Sequence, residues 1–187
     1  LTLSADTNSL ISGAIDIQAG SLIVDDPIDA EGAITATGSV TLTGTANLAS
    51  QVTAVGITFG STVTLDGAGN QALDAGTGTL SATSTITKTT AGNLTLEGDT
   101  NVDMDATVTV NSGDLIIPDP YDAAQDLIAS NNVTISGIGT LSGAGTQRVD
   151  AQGGTLSVSQ AMTKAAGNLI LAGASALDLN ADITATA

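Results

Sequence analysis

Short alternating segments recur along the whole chain. Val40-Thr41-Leu42, Val63-Thr64-Leu65, Leu94-Thr95-Leu96, Val102-Asp103-Met104, Val108-Thr109-Val110 and Leu177-Asp178-Leu179 each place aliphatic side chains on one side and Thr or Asp on the other. That period of two is the signature of a strand buried on one face. Gly, Asn or Asp punctuates nearly every gap, which supplies residues able to turn the chain sharply. Comparable strand starts fall at Leu1, Leu22, Val40, Val63 and Leu80. Their spacing predicts an all-β fold, a parallel β-helix (β-solenoid) with coils of about 17–23 residues. Nine or ten such coils, each rising about 4.8 Å, form a rod on the order of 45 Å long. The general crossover preference predicts a right-handed coil. Two segments depart from the pattern: residues 121–128 (YDAAQDLI), flanked by Pro118 and Pro120, and their counterpart, residues 28–35 (IDAEGAIT), which contains Gly32. Both are expected to be loops outside the coil, acidic corner turns rather than helices.

Self-similarity sharpens this reading. Residues 69–90 align with residues 145–166 at a constant offset of 76, including Gln71/Gln147, Asp74/Asp150, Leu80/Leu156 and Lys88/Lys164. A one-residue deletion follows, and the match resumes through Gly92-Asn93-Leu94 against Gly167-Asn168-Leu169. Further upstream the offset is 93: Leu1-Thr2-Leu3 with Asp6-Thr7-Asn8 matches Leu94-Thr95-Leu96 with Asp99-Thr100-Asn101, and the register holds through Pro27/Pro120 and Val40/Val133. The chain thus reads as one solenoid segment of imperfect repeats, residues 1–93, 94–168 and the start of a third copy at 169–187. The larger offset exceeds the smaller by about 17 residues, the length of one short coil, and the extra material lies near residues 50–67. An insertion that leaves both flanks in register is one whole coil gained or lost, because each coil of a solenoid touches only its neighbours.

Composition narrows the interior. Aromatic residues make up 1 % of the chain, Phe59 and Tyr121 alone, so the core must be built from small and medium aliphatic side chains. The net charge of −16, with only Lys88, Lys164 and Arg148 positive, repels phosphates and anionic lipid, so nucleic acid and membrane insertion are not expected partners. No apolar run reaches membrane-spanning length. With no Cys there is no disulfide framework or thiolate chemistry.

Few residues suggest chemistry. Asp99, Asn101, Asp103 and Asp105 put oxygen ligands at every second position, as at the start of a calcium loop. Such a loop also needs glycine at its sixth position and Glu at its twelfth, where Met104 and Val110 stand. The other copies do not repeat the ligand set. Asp25-Asp26, and Asp119 with Asp122, offer the paired carboxylates a glycoside hydrolase requires. There is no His beside them, and Arg148 replaces Ala72 of the other copy. Thr-x-Thr pairs occur at Thr35/Thr37, Thr41/Thr43, Thr62/Thr64, Thr85/Thr87 and Thr107/Thr109. Ranks of such pairs on a flat face order water, but along the sequence these pairs keep no constant coil position, and the ordinary strand preference of Thr accounts for them. Asn93-Leu94-Thr95 and Asn132-Val133-Thr134 match the N-glycosylation pattern.

At the Gly-Asn-Leu-Thr-Leu strands with their Gly and Asp turns, the whole chain resembles filamentous-haemagglutinin-like adhesins and the passenger stalks of bacterial autotransporters. The resemblance implies a β-helical shaft, an extracellular location on the bacterial cell surface, and an adhesive or scaffolding role; catalysis and a cofactor are not expected, because the chain has no His, no Cys and three basic residues. A cell-surface or glycan ligand is the partner it suggests. The alternative is a binding module carrying ice, calcium or glycan on one face. Neither end of the sequence reads as a polar cap, so further coils or stacked subunits are expected to continue the fibre end to end.

Overall fold

A computed structural model describes residues 1–4 and 9–186. Its 28 strands, mostly three or four residues long, are joined by tight turns, and the described residues contain no helix. The chain visits three sheets in rotation. Sheet 1 has ten strands, from Thr2–Leu3 to Ile183–Ala185; sheet 2 has nine, from Ser9–Ile11 to Leu169–Gly173; sheet 3 has nine, from Ile15–Ile17 to Ala176–Leu179. Every pairing is parallel and joins a strand to those three places before and after it. This is a three-sided parallel β-solenoid of about nine turns. Along sheet 1 the register runs Thr2, Ile23, Thr41, Thr58, Ser81, Asp103, Asp122, Thr140, Thr163, Thr184. The step from Thr41 to Thr58 is the shortest coil of this series, and the next, from Thr58 to Ser81, is among the longest. Both ends of the range agree with the spacing of strand starts.

Alternation decides which side chains enter the interior. In Ile86–Lys88, Val108–Val110 and Leu127–Ala129 the outer two residues of three are buried and the middle one faces out. Residues of like position stack into columns down the rod. One column of sheet 1 runs Leu22, Val40, Ile57, Leu80, Val102, Tyr121, Gly139, Met162. Its large member is accommodated by its smallest: a Cβ built on Gly139 would lie 1.9 Å from Tyr121 Cε1. Phe59 likewise stacks on Ala82.

The corner before sheet 3 explains Gly92-Asn93-Leu94, whose sequence counterpart Gly167-Asn168-Leu169 instead opens a strand of sheet 2. The side-chain oxygens of Asn70, Asn93, Asp114 and Asn132 each accept the backbone N–H of the equivalent residue one coil on, at 3.0, 3.1, 3.0 and 2.9 Å. These bonds satisfy turn amides that no strand can reach. Gly92 precedes Asn93 with φ of 124°, and a Cβ there would lie 2.0 Å from Gly69 O. Only glycine combines that backbone with such an approach. The two sequon asparagines, Asn93 and Asn132, are members of this ladder.

One expectation is corrected. Residues 28–35 and 121–128 are not loops outside the coil. Ile28–Ala30, Ile34–Ala36, Tyr121–Ala123 and Leu127–Ala129 are strands within it. Their alternation is hard to see because alanine fills half of the inward positions, beside Ile28, Ile34, Tyr121 and Leu127. Small inward residues suffice where the stacked neighbours are large.

The sequence repeat is out of phase with the faces. Gln71–Asp74 belongs to sheet 3 and its counterpart Gln147–Ala151 to sheet 2; Thr79–Ala82 lies in sheet 1 and Thr155–Val158 in sheet 3. The smaller repeat offset corresponds to eleven strands and the larger to fourteen, since Thr2–Leu3 is the first strand and Leu94–Glu97 the fifteenth. The difference is three strands, one coil. Between Val40 and Gln71 lie four strands, whereas a single one, Gly139–Leu141, separates their counterparts Val133 and Gln147. Residues 6–8, which belong to the matched stretch at the start of the chain, lie outside the described residues.

Candidate functional site

The acidic positions form two short ladders on the outer surface. Asp99 and Asp105 sit in the turns at either end of strand Asn101–Met104, with Asn101 and Asp103 on its outer side. Alternate residues of a strand are about 6.6 Å apart, whereas calcium ligands must converge to about 2.3–2.6 Å from one point. The strand spreads these four residues along a line. Among the described residues no group of three or more His, Cys, Asp or Glu side chains could hold a metal ion. Asp103 instead faces Asp122 of the next coil in register. Partial burial, followed by repulsion from Asp105 and Asp122, holds the Asp103 carboxyl above its usual 3.8. A second ladder pairs Asp74 with Glu97. Burial, and then Asp74, Asp119 and Asp99, raise the Glu97 carboxyl above 4.5.

The carboxylates considered for hydrolysis are dispersed. Asp25 and Asp26 follow strand Leu22–Val24, five coils from Asp122 along sheet 1, or roughly 24 Å. Asp119 Oδ2 accepts the Gly98 N–H at 3.0 Å. Arg148 belongs to sheet 2, where Nη2 lies 2.8 Å and Nε 2.9 Å from Asp150 Oδ2. Arg148, Asp150 and Gln152 line one side of an open cleft whose other side is Leu171, Gly173 and Leu177. The two carboxylate pairs lie far apart, and the Arg148–Asp150 ion pair closes on itself within the cleft.

The strongest polar constellation was not singled out by sequence reasoning. Lys88 and Lys164 are fully buried, each at the end of an inward-facing strand column. Lys88 Nζ donates to Gly67 O at 3.0 Å, to Gln71 Oε1 at 2.9 Å and to Thr90 Oγ1 at 3.3 Å. All three ammonium protons are thereby used. Gln71 Nε2 in turn donates to Leu48 O and Ser50 O, at 2.9 and 3.2 Å. Gln147 and Lys164 repeat the arrangement: Gln147 Nε2 donates to Ala123 O and Gln125 O, and Lys164 Nζ to Gly143 O. Here Gln147 Oε1 is left without a partner. Burial pulls the Lys88 amine below its ordinary 10.5, with Asp66 opposing. These latches tie the corner of one coil to the backbone of the coil before it. The available signal was the spacing, since Gln71 and Lys88 stand the same distance apart along the chain as Gln147 and Lys164.

The outward threonines also differ from expectation. Thr64, Thr87 and Thr109 are register partners on three successive coils of sheet 2. Thr62, Thr85 and Thr107 precede them in step, since Thr85 O and Thr107 O accept the N–H of Val63 and Ile86. Three of the five Thr-x-Thr pairs therefore share one coil position. The two coils that separate them are of unequal length, which conceals the match along the sequence.

No family model matches the chain, and no curated protein or solved structure is significantly similar to it.

Proposed function

We propose that this chain is a segment of the structural shaft of an extracellular bacterial surface fibre or adhesin. One observation carries the reading: three unbroken parallel sheets run the length of the rod, so each coil rests on the one before it through backbone hydrogen bonds on all three sides. Such a stack transmits load along its axis and lengthens by whole coils without disturbing those already present. The resemblance to filamentous-haemagglutinin-like and autotransporter-passenger repeats adds the cell-surface setting. The acidic surface suits it, because like-charged rods do not clump. The shaft is non-catalytic; its partners are further coils or subunits of the same fibre, stacked end to end, and a glycan or surface ligand is contacted elsewhere on the parent assembly.

Antibody raised against this segment tests the proposal on intact cells. Immunogold label distributed along surface filaments is expected. Label confined to the cytoplasm, or to compact particles free of filaments, overturns it.

A further inference from the structure

We infer that the Thr-x-Thr array on sheet 2 is an ice-binding patch, a surface that holds water in a lattice shared with ice. The inference goes beyond the shaft and does not depend on it. Thr62-Val63-Thr64, Thr85-Ile86-Thr87 and Thr107-Val108-Thr109 stack in register. Val63, Ile86 and Val108 are buried, and they lock the intervening backbone flat against the core. The result is two columns of three threonines, about 4.7–4.9 Å apart between coils, with Thr64, Thr87 and Thr109 inside the strands and Thr62, Thr85 and Thr107 immediately before them. Both columns are fixed by backbone pairing rather than by flexible side chains. β-Branched Thr adds little freedom of its own.

Two further observations set these six residues apart from the corner threonines. First, none of their hydroxyls bonds to another group of the protein. Thr43, Thr83, Thr89, Thr90, Thr100 and Thr186, at the corners, instead donate to carbonyls of the preceding coil. Second, the patch carries no charge in a chain of net charge −16. One coil before, Thr45 extends the first column while Asn47 ends the second; one coil after, Asp126 and Ile128 end both. Unpaired hydroxyls on a rigid, uncharged grid, each set beside a methyl group, offer water both an anchor and an apolar wall. A lattice of water assembled there freezes onto ice without first shedding a disordered shell around charges. A flexible glycan gains less from the grid, because it lacks a matching two-dimensional repeat and there is no aromatic ring on the patch to stack against.

The test uses the full chain. A slowly grown ice hemisphere is formed in dilute fluorescently labelled protein, and the captured fraction is compared with that of Thr87→Tyr, at the middle of the array. Thr134→Tyr, on the outer side of sheet 3, serves as the control, and circular dichroism verifies that each variant is folded. Wild type and Thr134→Tyr are expected to enter the ice. Thr87→Tyr should be captured about tenfold less, the ratio given by about 1.4 kcal/mol of lost interaction. Should Thr87→Tyr fail to fold, Thr87→Val replaces it, removing the central hydroxyl with little change in shape. Exclusion of wild type from ice, or equal capture of wild type and folded Thr87 variants, overturns the inference.

Discussion

Gly139→Ala is the sharpest probe of column packing. A Cβ at this position would lie 1.9 Å from Tyr121 Cε1 and 2.1 Å from Cζ. The ring cannot retreat along the axis, because Val102 occupies the same column on its other side. Overpacking of this kind costs about 1–3 kcal/mol, of which roughly 0.5–1 kcal/mol returns because alanine loses less backbone freedom than glycine in a strand. The net loss is about 0–2.5 kcal/mol, which lowers Tm by up to roughly 10 °C in a chain of this size. Tyr121→Leu alone leaves a void over Gly139 and is also destabilising, by about 1–3 kcal/mol. Together the two changes refill the column, so the double variant should be more stable than the sum of the single losses by about 1–2 kcal/mol. Tyr121→Phe separates ring from hydroxyl. The phenol oxygen is buried without a partner, so its removal should be neutral or stabilising by up to about 1–3 kcal/mol, while the Phe ring still clashes with Ala at 139. Urea titrations followed by far-ultraviolet circular dichroism measure all four variants, the chain having no tryptophan to report. Additive losses, within about 0.5 kcal/mol, would refute the stacked column.

Three further outcomes follow from the same structure. Glu97 and Asp103 have folded-state carboxyls raised above 4.5 and 3.8, so the folded chain binds their protons more tightly than the unfolded one. Stability should rise as pH falls from neutrality through the raised values and level off below the ordinary ones; Glu97→Gln should raise Tm at pH 7 and shrink that gain, and an unchanged acid response in the variant would count against the ladder. Lys88 has the opposite linkage, its folded amine lying below 10.5: stability contributed by this group should increase as pH climbs towards 10.5, and Lys88→Met should flatten that slope in thermal melts at pH 8 and 10. Removal of residues 43–59 brings Gly60 into the position of Thr43, one coil on. That variant should fold with a strand spectrum and three shorter sheets, whereas removal of residues 43–51 should not, as proteolysis and circular dichroism can show.

The architecture was legible because backbone stacking leaves a plain trace: inward aliphatics at alternate positions, a turn residue every few steps, and a difference between repeat offsets that proves to be three strands. What escaped detection depends on register between coils of unequal length. The stacked threonines Thr64, Thr87 and Thr109 are unevenly spaced along the chain, so a fixed period misses them. The strands at Tyr121–Ala123 and Ile28–Ala30 were hidden because inward alanine carries little hydrophobic signal. Lys88 and Gln71 stood out only as repeated positions, since a buried ammonium is rare unless its protons are all used. The third-turn slip between sequence repeat and face has its own consequence: Gln71 opens a strand of sheet 3 and Gln147 one of sheet 2. A repeated residue therefore does not build a ligand row on one side, and the threonine array arises from neighbouring coils that span the boundary between the first and second copies.

Cryo-electron microscopy of surface filaments isolated with the parent protein tests the shaft most directly. A load-bearing solenoid predicts this segment within the filament wall, its strands perpendicular to the axis, with an axial repeat of about 4.8 Å. Filaments lacking that repeat, or a segment folded as a detached particle beside them, would contradict it.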